Sequence, residues 1–465
     1  MSFRLQLREC IAPLSAQMSG QSVQLDGVSI DTRTLKPGEL YFAIVGERFN
    51  GHEFVEQAQQ AGAAAIVVQE PVESSLPQLV VADTRLALGQ LGKFWADRFG
   101  IPTVAITGSN GKTTVKEMVT SILSQQGPVL ATKGNLNNDL GVPLTLLRMR
   151  EEHVYAVIEM GANHAGEIAY LVSLAKPDVA LVTNIGTAHL EGFGSVEGIA
   201  SAKSEIYSGL TKNGFGVINS DDAFAEQMRA ACDHCRTVAF GRGVDADVRV
   251  SEGQPLCVQY MGDTLSIRFR LSGDHNVTNA LAAIAAVQCL DVQSDSIVRG
   301  LESMTPVPGR LERKAGVSGS VVIDDSYNAN PDSVRSAINV LAACGGTRYL
   351  VLGDMGELGS DARSMHCGIG EFAAEQEIDG LWTVGDLTID ASAAFKATSS
   401  EREEPVLAEH FNDQAELIDS LRGNLAQGVT VLVKGSRSAR MERVVESIVL
   451  DIKLSGGVAT AGVSR

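Results

Sequence analysis

The chain has 465 residues and a mass of 49.2 kDa, which is too long for one hydrophobic core and predicts two to four domains. Its 44% hydrophobic and 20% charged residues are typical of an ordinary globular protein. The formal charge of −18 argues against a nucleic acid or an anionic membrane as the main partner, because the long-range field repels polyanions.

The cysteines and the N-terminus predict the compartment. Seven cysteines, an odd number scattered along the chain, suit a reducing cytosol better than a disulfide framework. Cys232 and Cys235 have no second pair at zinc-site spacing, so we interpret them as an incidental helix-end pair. The N-terminus, MSFRLQLREC, has charges where a signal peptide needs an apolar stretch, and no apolar run reaches the roughly 20 residues of a membrane span. We expect a cytoplasmic monomer without a membrane or nucleic-acid partner.

The first region, residues 1–98, predicts a small α/β domain. Short strands and turns, including GELYFAIVG, precede a helical stretch from Glu53 to Ala61 and the strand AAAIVV. A second helical stretch, Leu86 to Arg98, leads to Gly100 and Pro102, which mark a linker.

The second region, residues 99–312, alternates strands and helices as a mostly parallel sheet requires. The segment from Val248 to Leu271 breaks this rhythm with a period of two, which indicates an antiparallel insertion. An Ala-rich helix is predicted from His275 to Leu290, and the turn PVPGR ends the region. The predicted strands are Thr103 to Thr107, Tyr155 to Glu159, Val179 to Asn184 and Gly216 to Asn219.

The third region, residues 313–465, restarts the alternation with SVVIDDSY, a helix from Ser333 to Cys344, YLVLGDM, GLWTVG and TVLVKGSR. It predicts a Rossmann-like domain, but GxGxxG is absent after its first strand, so a nicotinamide cofactor is not implied. The predicted fold class is therefore α/β with three domains around a central sheet of the phosphate-loop type.

The sequence AITGSNGKTT at residues 105–114 predicts a loop that binds the phosphates of a nucleotide. Glycines let backbone N–H groups surround an anion, a lysine reaches the terminal phosphates, and the next hydroxyl binds Mg²⁺. Ile106 stands where the usual pattern has its first glycine, so a Gly-rich turn with a surface lysine is the alternative. The residues in question are Gly108, Ser109, Asn110, Gly111, Lys112, Thr113 and Thr114.

Other polar residues of the second region stand at strand ends or helix starts, where ligands bind in open α/β sheets. Glu159 ends a predicted strand and is either a structural carboxylate or a Mg²⁺ ligand. His189 follows a strand, and packing is its commoner role. On helix geometry alone Lys203 is a solvated surface lysine. Asn276 and Asn279 stand at the start of a predicted helix. The simple interpretation is that Asp274 caps this helix and that both asparagines are polar residues of the surface.

Several motifs in the same order resemble the ATP-dependent Mur ligase family of bacterial peptidoglycan synthesis, in which isoleucine at the first loop position is normal. They are ITGSNGKTT, GNLNNDLGVPLTLL, EMGANHAGEI, TNIGTAHLEGFGS, AKSEIY, GDHNVTNALAA and PGRLER. The resemblance extends over almost the whole chain.

The resemblance implies an ATP site with two Mg²⁺ ions. Thr113, Glu159 and His189 match metal positions, and Lys203 matches a lysine that is carbamylated to help hold the second ion. Lys112 and Arg310 would offset charge on the transferred phosphoryl group. The nucleotide would further contact Asn276 and Asn279 and, when the third domain closes at a hinge near Gly309, Asp325 and Asn328. Turn chemistry is the alternative for Asn328.

The resemblance also implies the substrates. DDSYNANPDS is similar to the subclass that joins D-alanyl-D-alanine to UDP-N-acetylmuramoyl-tripeptide. Ser29, Thr32, Arg33 and Arg48 would hold the UDP end, although Asn50 replaces the family's commoner aspartate. Residues Asn135, Asn137 and Asn138 would line the path of the peptide, unless they form an Asn-rich turn. Lys434, Ser436 and Arg437 would receive the dipeptide carboxylate, unless they are a basic helix start.

Three alternatives stay open. Another Mur ligase, adding a single amino acid, differs in its acceptor only. A folylpolyglutamate-type ligase shares the loop and the modified lysine but has no UDP-binding region like residues 1–98. A nucleotide-gated binding protein that hydrolyses little is the non-enzyme alternative.

Overall fold

The computed structural model describes residues 3–46, 49–251, 255–260, 262–402 and 406–450. Within these ranges the chain forms two compact units. The first contains the residues through Ile185, then Phe193–Arg270 and Asn276–Met304. The second contains Gly186–Gly192, Leu271–His275 and the described residues from Thr305 onward.

The N-terminal part of the first unit is a small α/β layer. Its helices are α1 (Ile11–Leu14), α2 (Val55–Gln60) and α3 (Thr84–Ala96), with 3-10 turns at Leu7–Cys10 and Gly51–Phe54. Its strands are β1 (Leu5–Gln6), β2 (Gln17–Ser19), β3 (Gln24–Leu25), β4 (Gly27–Ser29), β5 (Glu39–Phe42), β6 (Ala65–Val68) and β7 (Gln78–Val80). Strands β4 to β7 are parallel neighbours in sequence order, β2 pairs antiparallel with β7, and β1 pairs with β3.

Helix α3 ties this layer to the rest of the first unit. The Asp83 side chain caps the helix by accepting hydrogen bonds from the backbone N–H groups of Arg85 and Leu86. The indole N–H of Trp95 donates to the carbonyl of Met149 at 3.0 Å, and its ring packs on Phe3. One apolar core therefore contains residues from all three sheets of this unit.

The largest sheet of this unit has nine strands in the order β16-β15-β14-β13-β12-β11-β8-β10-β9. The strands are β8 (Thr103–Thr107), β9 (Val129–Ala131), β10 (Tyr155–Glu159), β11 (Val179–Val182), β12 (Phe215–Asn219), β13 (Arg236–Gly241), β14 (Val248–Ser251), β15 (Leu256–Tyr260) and β16 (Asp263–Ile267). All neighbours are parallel except the pairs β14 with β15 and β15 with β16. The predicted antiparallel insertion is thus confirmed, whereas sequence periodicity missed β9 and β13.

Helices cover this sheet and close its core. They are α4 (Lys112–Leu123), α5 (Gly141–Leu146), α6 (Glu167–Ala175), α8 (Val196–Ser204), α9 (Ala225–Ala231), α10 (Asp274–Gln288) and α11 (Ser294–Glu302), with a 3-10 turn at Glu205–Gly209. The short helix α7 (Leu190–Phe193) belongs mostly to the second unit. Strand β8 is buried along its whole length, as a central parallel strand must be.

The second unit holds a six-stranded sheet in the order β17-β18-β22-β19-β20-β21, parallel except for its first pair. Its strands are β17 (Glu312–Ala315), β18 (Val321–Asp325), β19 (Thr347–Gly353), β20 (Gly380–Val384), β21 (Leu407–Phe411) and β22 (Val429–Lys434). Its helices are α12 (Pro331–Ala342), α13 (Ala362–Glu375), α14 (Thr388–Thr398), α15 (Gln414–Asn424) and α16 (Glu442–Ile448), with 3-10 turns at Val317–Gly319, Gly359–Asp361 and Arg437–Ala439. The predicted α/β class is confirmed. Within the described ranges, no helix has the length and apolarity needed to cross a bilayer.

A buried histidine fixes one loop of the second unit. His366 in α13 is fully buried; its Nε2 accepts from the backbone N–H of Met355 at 3.0 Å, and its Nδ1 lies 2.7 Å from the carbonyl of Ala362. A neutral ring with its proton on Nδ1 satisfies both bonds. Burial lowers the pKa of His366, because it disfavours the charged ring.

We expect acid to weaken this loop and the fold. His366 binds a proton more readily in the unfolded chain than in the folded protein. Its contribution to folding stability is therefore complete above the ordinary histidine pKa of about 6.5 and is lost as the pH falls through the lower pKa of the folded state. His366→Gln should reduce stability at pH near neutrality by roughly 1–3 kcal/mol and give a shallower decline in Tm on acidification than the wild type. Scanning calorimetry over a pH series measures this, with His234→Gln at the surface as the control. An unchanged pH slope in His366→Gln would contradict the assignment.

Candidate active site

The loop between β8 and α4 lies at the carboxyl end of the buried central strand. Gly108 and Gly111 have φ of +146° and +80°, a region that side chains disfavour. A Cβ on Gly108 would collide with Oγ1 of Thr183, and one on Gly111 would collide with Oδ1 of Asn279. Both glycines are therefore required by close approach as well as by backbone conformation.

The end of the neighbouring strand β11 holds the loop in shape. Asn184 donates from Nδ2 to the carbonyl of Asn110 at 3.1 Å and accepts the backbone N–H of Asn110 at 3.0 Å. Thr183 Oγ1 donates to the same carbonyl at 2.5 Å, and the backbone N–H of Ser109 donates to the Asn184 carbonyl at 2.9 Å. Neither Thr183 nor Asn184 was predicted as a site residue, although both stand in the motif TNIGTAHLEGFGS.

The start of α4 offers an anion site. Lys112 bends back so that Nζ donates to the carbonyls of Gly108 at 2.7 Å and Ser109 at 3.2 Å. Thr113 is half-buried and Thr114 is buried in the first turn. Backbone N–H groups at a helix start, together with the ammonium, favour a bound phosphate.

Glu159 ends β10 beside the loop strand, where it pairs in register with Ile106. Its side chain is 2% exposed. Oε1 accepts a hydrogen bond from Asn137 Nδ2 at 2.9 Å, whereas the buried Oε2 has no hydrogen-bond partner within the described part of the chain. An uncompensated buried carboxylate oxygen is costly, and a hard cation such as Mg²⁺ would satisfy it. The Glu159 carboxylate therefore fits a Mg²⁺ ligand better than a purely structural carboxylate.

The interpretation of Lys203 as a solvated surface lysine is wrong. The residue is in α8, is 1% exposed, and has its ammonium 5.8 Å from the centre of the Phe193 ring. Burial and then the positive charge of Lys112 hold its pKa well below the usual range. Burial therefore favours the neutral amine of Lys203, which is the form in which a lysine acts as a nucleophile.

His189 belongs to the second unit, where its Nδ1 is paired with the carboxylate of Glu357. The same segment is held by Asp332, whose Oδ2 accepts from the backbone N–H and Oγ1 of Thr187 at 2.9 and 3.1 Å. Among the residues that the structure describes, no group of three or more His, Cys, Asp and Glu side chains is arranged to hold a metal ion. A metal role for His189 stays a prediction.

The asparagines at the start of α10 are buried at 7% exposure each, so their interpretation as surface polar residues is wrong. Asn279 donates to Asn276 Oδ1 at 3.3 Å, and its own Oδ1 lies against Gly111. The structure thus places Asn279 beside the phosphate loop. Contact of Asn276 and Asn279 with the nucleotide stays a prediction.

In the second unit, residues that end or follow β18 and β22 form one cluster. Asp325 and Lys434 are register partners, and Lys434 Nζ pairs with Asp325 Oδ2 and donates to the Asn328 carbonyl at 2.9 Å. Asn328 Oδ1 accepts from the backbone N–H of Arg437 at 3.3 Å. Lys434 is 3% exposed, so its ammonium is committed to this cluster.

Two arginines of this unit share one aromatic ring. The Arg310 guanidinium lies 4.4 Å from the centre of the Tyr327 ring, and the Arg437 guanidinium lies 6.0 Å from it. Arg437 also pairs with Glu442 at 3.3 Å. Ser436 is buried, with its hydroxyl 3.0 Å from that of Ser438.

The remaining predicted positions lie in the first unit. Ser29 is buried and its hydroxyl bonds the backbone of Asp31, whereas Arg33 is exposed and pairs with the Asp31 carboxylate at 2.7 Å. Thr32 Oγ1 contacts Gln57 at 3.4 Å, and Arg48 lies outside the described residues.

The three asparagines of GNLNND differ from one another in the structure. Asn135 is exposed, and its carbonyl accepts the backbone N–H of Asn137 at 2.8 Å. The side chain of Asn137 instead contacts Glu159. Asn138 accepts the Gly141 N–H at 2.9 Å, close to the start of α5.

The fold and this site define an α/β protein of the phosphate-loop class. Family models match residues 24–94 (Mur ligase family, catalytic domain), 106–287 (Mur ligase middle domain) and 309–437 (Mur ligase, glutamate ligase domain). The chain is 43% identical over 444 residues to the UDP-N-acetylmuramoyl-tripeptide--D-alanyl-D-alanine ligase of Escherichia coli K12, covering 94% of this chain and 96% of that protein. The chain belongs to the Mur ligase family, whose members are ATP-dependent ligases that form amide bonds.

Solved structures agree with this assignment. Crystal structure I of MurF from Acinetobacter baumannii is 37% identical with a TM-score of 0.89, covering 96% of this chain and 98% of that one. MurF ligase from Thermotoga maritima in complex with ADP is 27% identical with a TM-score of 0.78, covering 90% and 96%. The predicted family is confirmed, and the division at residues 98 and 312 stays a prediction.

We expect Asn184→Ala to weaken ADP binding about tenfold, because the loop loses two hydrogen bonds that hold the Asn110 peptide, worth together roughly 1–3 kcal/mol. Isothermal titration calorimetry measures the change. The exposed Asn213→Ala is the control and should bind ADP as the wild type does. Equal affinities for all three proteins would show that Asn184 does not shape the site.

Proposed function

We propose that this protein joins D-alanyl-D-alanine to UDP-N-acetylmuramoyl-tripeptide at the expense of ATP, in the cytoplasmic synthesis of peptidoglycan precursors. The observation that carries the chemistry is the buried Glu159 carboxylate, with one unpartnered oxygen, beside a phosphate loop. The substrates are taken from the names of relatives such as the Escherichia coli protein, which this chain matches over nearly its full length. The monomeric state belongs to the same proposal.

Residues of the first unit would bind the nucleotide. The loop from Gly108 to Thr114 would surround the phosphates, and Lys112 would exchange its carbonyl partners for phosphate oxygens. Thr113 and Glu159 would hold Mg²⁺, which when bound offsets charge on the transferred phosphoryl group. Asn276 and Asn279 would contact the nucleotide from the start of α10.

The reaction needs two substitutions. The terminal carboxylate of the tripeptide attacks the γ-phosphorus, so that a C–O–P bond forms as the bond to ADP breaks. The neutral amine of the dipeptide then attacks the acyl carbon, an amide bond forms, and inorganic phosphate and a proton leave. Activation is required because a carboxylate is a poor electrophile. Exclusion of water protects the acyl phosphate, and we assign this to closure of the third domain at Gly309 and Arg310.

Lys203 is assigned a covalent modification. Its buried amine, in the neutral form that burial favours, would attack CO₂, forming an N–C bond and releasing a proton, to give an anionic carbamate. With His189, this group would hold a second Mg²⁺. The lowered pKa and the burial of Lys203 support the assignment, because both disfavour an unmodified ammonium at this position.

The substrate contacts remain proposals of the same kind. Ser29, Thr32 and Arg33 would hold the UDP end. Asp325 and Asn328 would contact ATP, and Arg310 would lie near the γ-phosphate. Arg437 and Ser436 would receive the dipeptide carboxylate, while Lys434 holds Asp325 and Asn328 in place.

We expect phosphate release only when ATP, the UDP-muramoyl tripeptide and D-alanyl-D-alanine are all present. A coupled phosphate assay with mass spectrometry of the product measures this, with single amino acids in place of the dipeptide as the control. Release with one amino acid would favour another Mur ligase activity, and release with a folate acceptor would favour the folylpolyglutamate type. Nucleotide binding without turnover would indicate a binding protein.

We expect Lys203→Ala to lower the ligation rate by at least 100-fold while the protein stays folded, because the site loses a charged metal-facing group. Short-chain carboxylic acids should partly restore the rate by occupying the vacated space. The exposed Lys212→Ala is the matched control and should keep full activity. Undiminished ligation by Lys203→Ala would rule out the carbamate.

A further inference from the structure

A second lysine of α4, the helix that follows the phosphate loop, is buried. Lys116 stands one helical turn after Lys112 and is 1% exposed, which is rare for a lysine without a fixed partner. Its Nζ donates to the backbone carbonyl of Thr132 at 2.9 Å and lies 2.6 Å from Oε1 of Glu117. The Glu117 side chain is 41% exposed, so the buried contact of the ammonium is the Thr132 carbonyl.

Thr132 connects this lysine to Glu159. It follows β9, and its backbone N–H donates to the Val157 carbonyl at 3.1 Å, which extends the pairing of β9 with β10 by one residue. Its hydroxyl accepts the backbone N–H of Glu159 at 3.0 Å. Thr132 is 2% exposed, so solvent does not replace either bond.

The same segment reaches the Glu159 side chain from the other end. Asn137, five residues after Thr132, donates to Oε1, and its carbonyl accepts the N–H of Gly161 at 2.8 Å. Glu159 is therefore held at its backbone through Thr132 and at one carboxylate oxygen through Asn137. This arrangement leaves the remaining oxygen, Oε2, in one fixed position.

We propose that Lys116 and Thr132 are positioning residues for the metal-facing carboxylate of Glu159. Lys116 fixes the Thr132 peptide, Thr132 fixes the end of β10, and Glu159 thereby presents Oε2 to the cation. Partners of this kind, one bond removed from a ligand, commonly change metal affinity by 10–100-fold when they are lost. The inference rests on the proposed function only in that Glu159 faces a divalent cation.

The test compares Thr132→Val with Thr132→Ser. Valine keeps the shape but removes the acceptor for the Glu159 N–H, whereas serine retains the hydroxyl. The readout is Mn²⁺ binding in the presence of ADP by electron paramagnetic resonance, with thermal unfolding in the absence of metal as the check on folding. We expect about tenfold weaker Mn²⁺ binding for Thr132→Val and near wild-type binding for Thr132→Ser.

Lys116→Met and Glu117→Gln form a second pair. Lys116→Met removes the donor to Thr132 and should weaken Mn²⁺ binding in the same direction, with a lowered kcat and an unchanged KM for the dipeptide. Glu117→Gln removes the charge of the exposed partner and should leave Mn²⁺ binding and kcat unchanged. Folded Thr132→Val that binds Mn²⁺ as tightly as the wild type would overturn the inference, as would equal weakening by Thr132→Ser.

The outcome also separates this inference from the proposed function. Wild-type protein that binds Mn²⁺ and ADP but does not ligate the dipeptide would refute the proposed substrates, while weakening by Thr132→Val would still support the positioning role. Wild-type protein that ligates the dipeptide, together with a Thr132→Val variant of unchanged Mn²⁺ affinity, would refute the positioning role alone.

Discussion

The candidate site depends on the register of three parallel strands. β8 lies between β10 and β11, so that Glu159 pairs with Ile106 on one side and Val182 pairs with Thr107 on the other. Since parallel strands end at the same edge, the phosphate loop receives a carboxylate from one neighbour and the Asn184 side chain from the other. A shift of one residue would turn the Glu159 side chain to the opposite face of the sheet.

Buried charge is the second constraint. Lys203, Lys116 and Glu159 are each at most 2% exposed within one unit. Removing charged groups from water is costly, and stability alone would be served as well by apolar residues. The surroundings of these three side chains differ. Lys116 donates a hydrogen bond to a fixed backbone carbonyl. Burial lowers the pKa of Lys203, and one carboxylate oxygen of Glu159 has no hydrogen-bond partner among the described residues. The first arrangement is structural support, and the other two are suited to reactive chemistry.

Sequence patterns predicted the strands that are apolar and long, such as Thr103–Thr107 and Val429–Lys434. They missed β9, which has three residues, and β13, which begins with the polar residues Arg236 and Thr237. A segment that is so short, or that mixes polar and apolar residues, has no clear hydrophobic period. They also placed Lys203 at the surface, because a single lysine on a short helix carries no sign of what packs over it. Thr183 and Asn184 went unnoticed because their importance arises from the strand beside them and not from their neighbours in sequence.

The sequence by itself determined the α/β class, the phosphate loop and the family, because local chemistry and motif order are written along the chain. Glycine at positions 108 and 111 and lysine at position 112 are recognisable from their spacing along the chain alone. Only the tertiary structure decided that Glu159 keeps one free oxygen, that Asn279 lies against Gly111, and that Lys434 is committed to Asp325. These are properties of burial and of contacts between distant segments, and they exist only once the strands have taken their register.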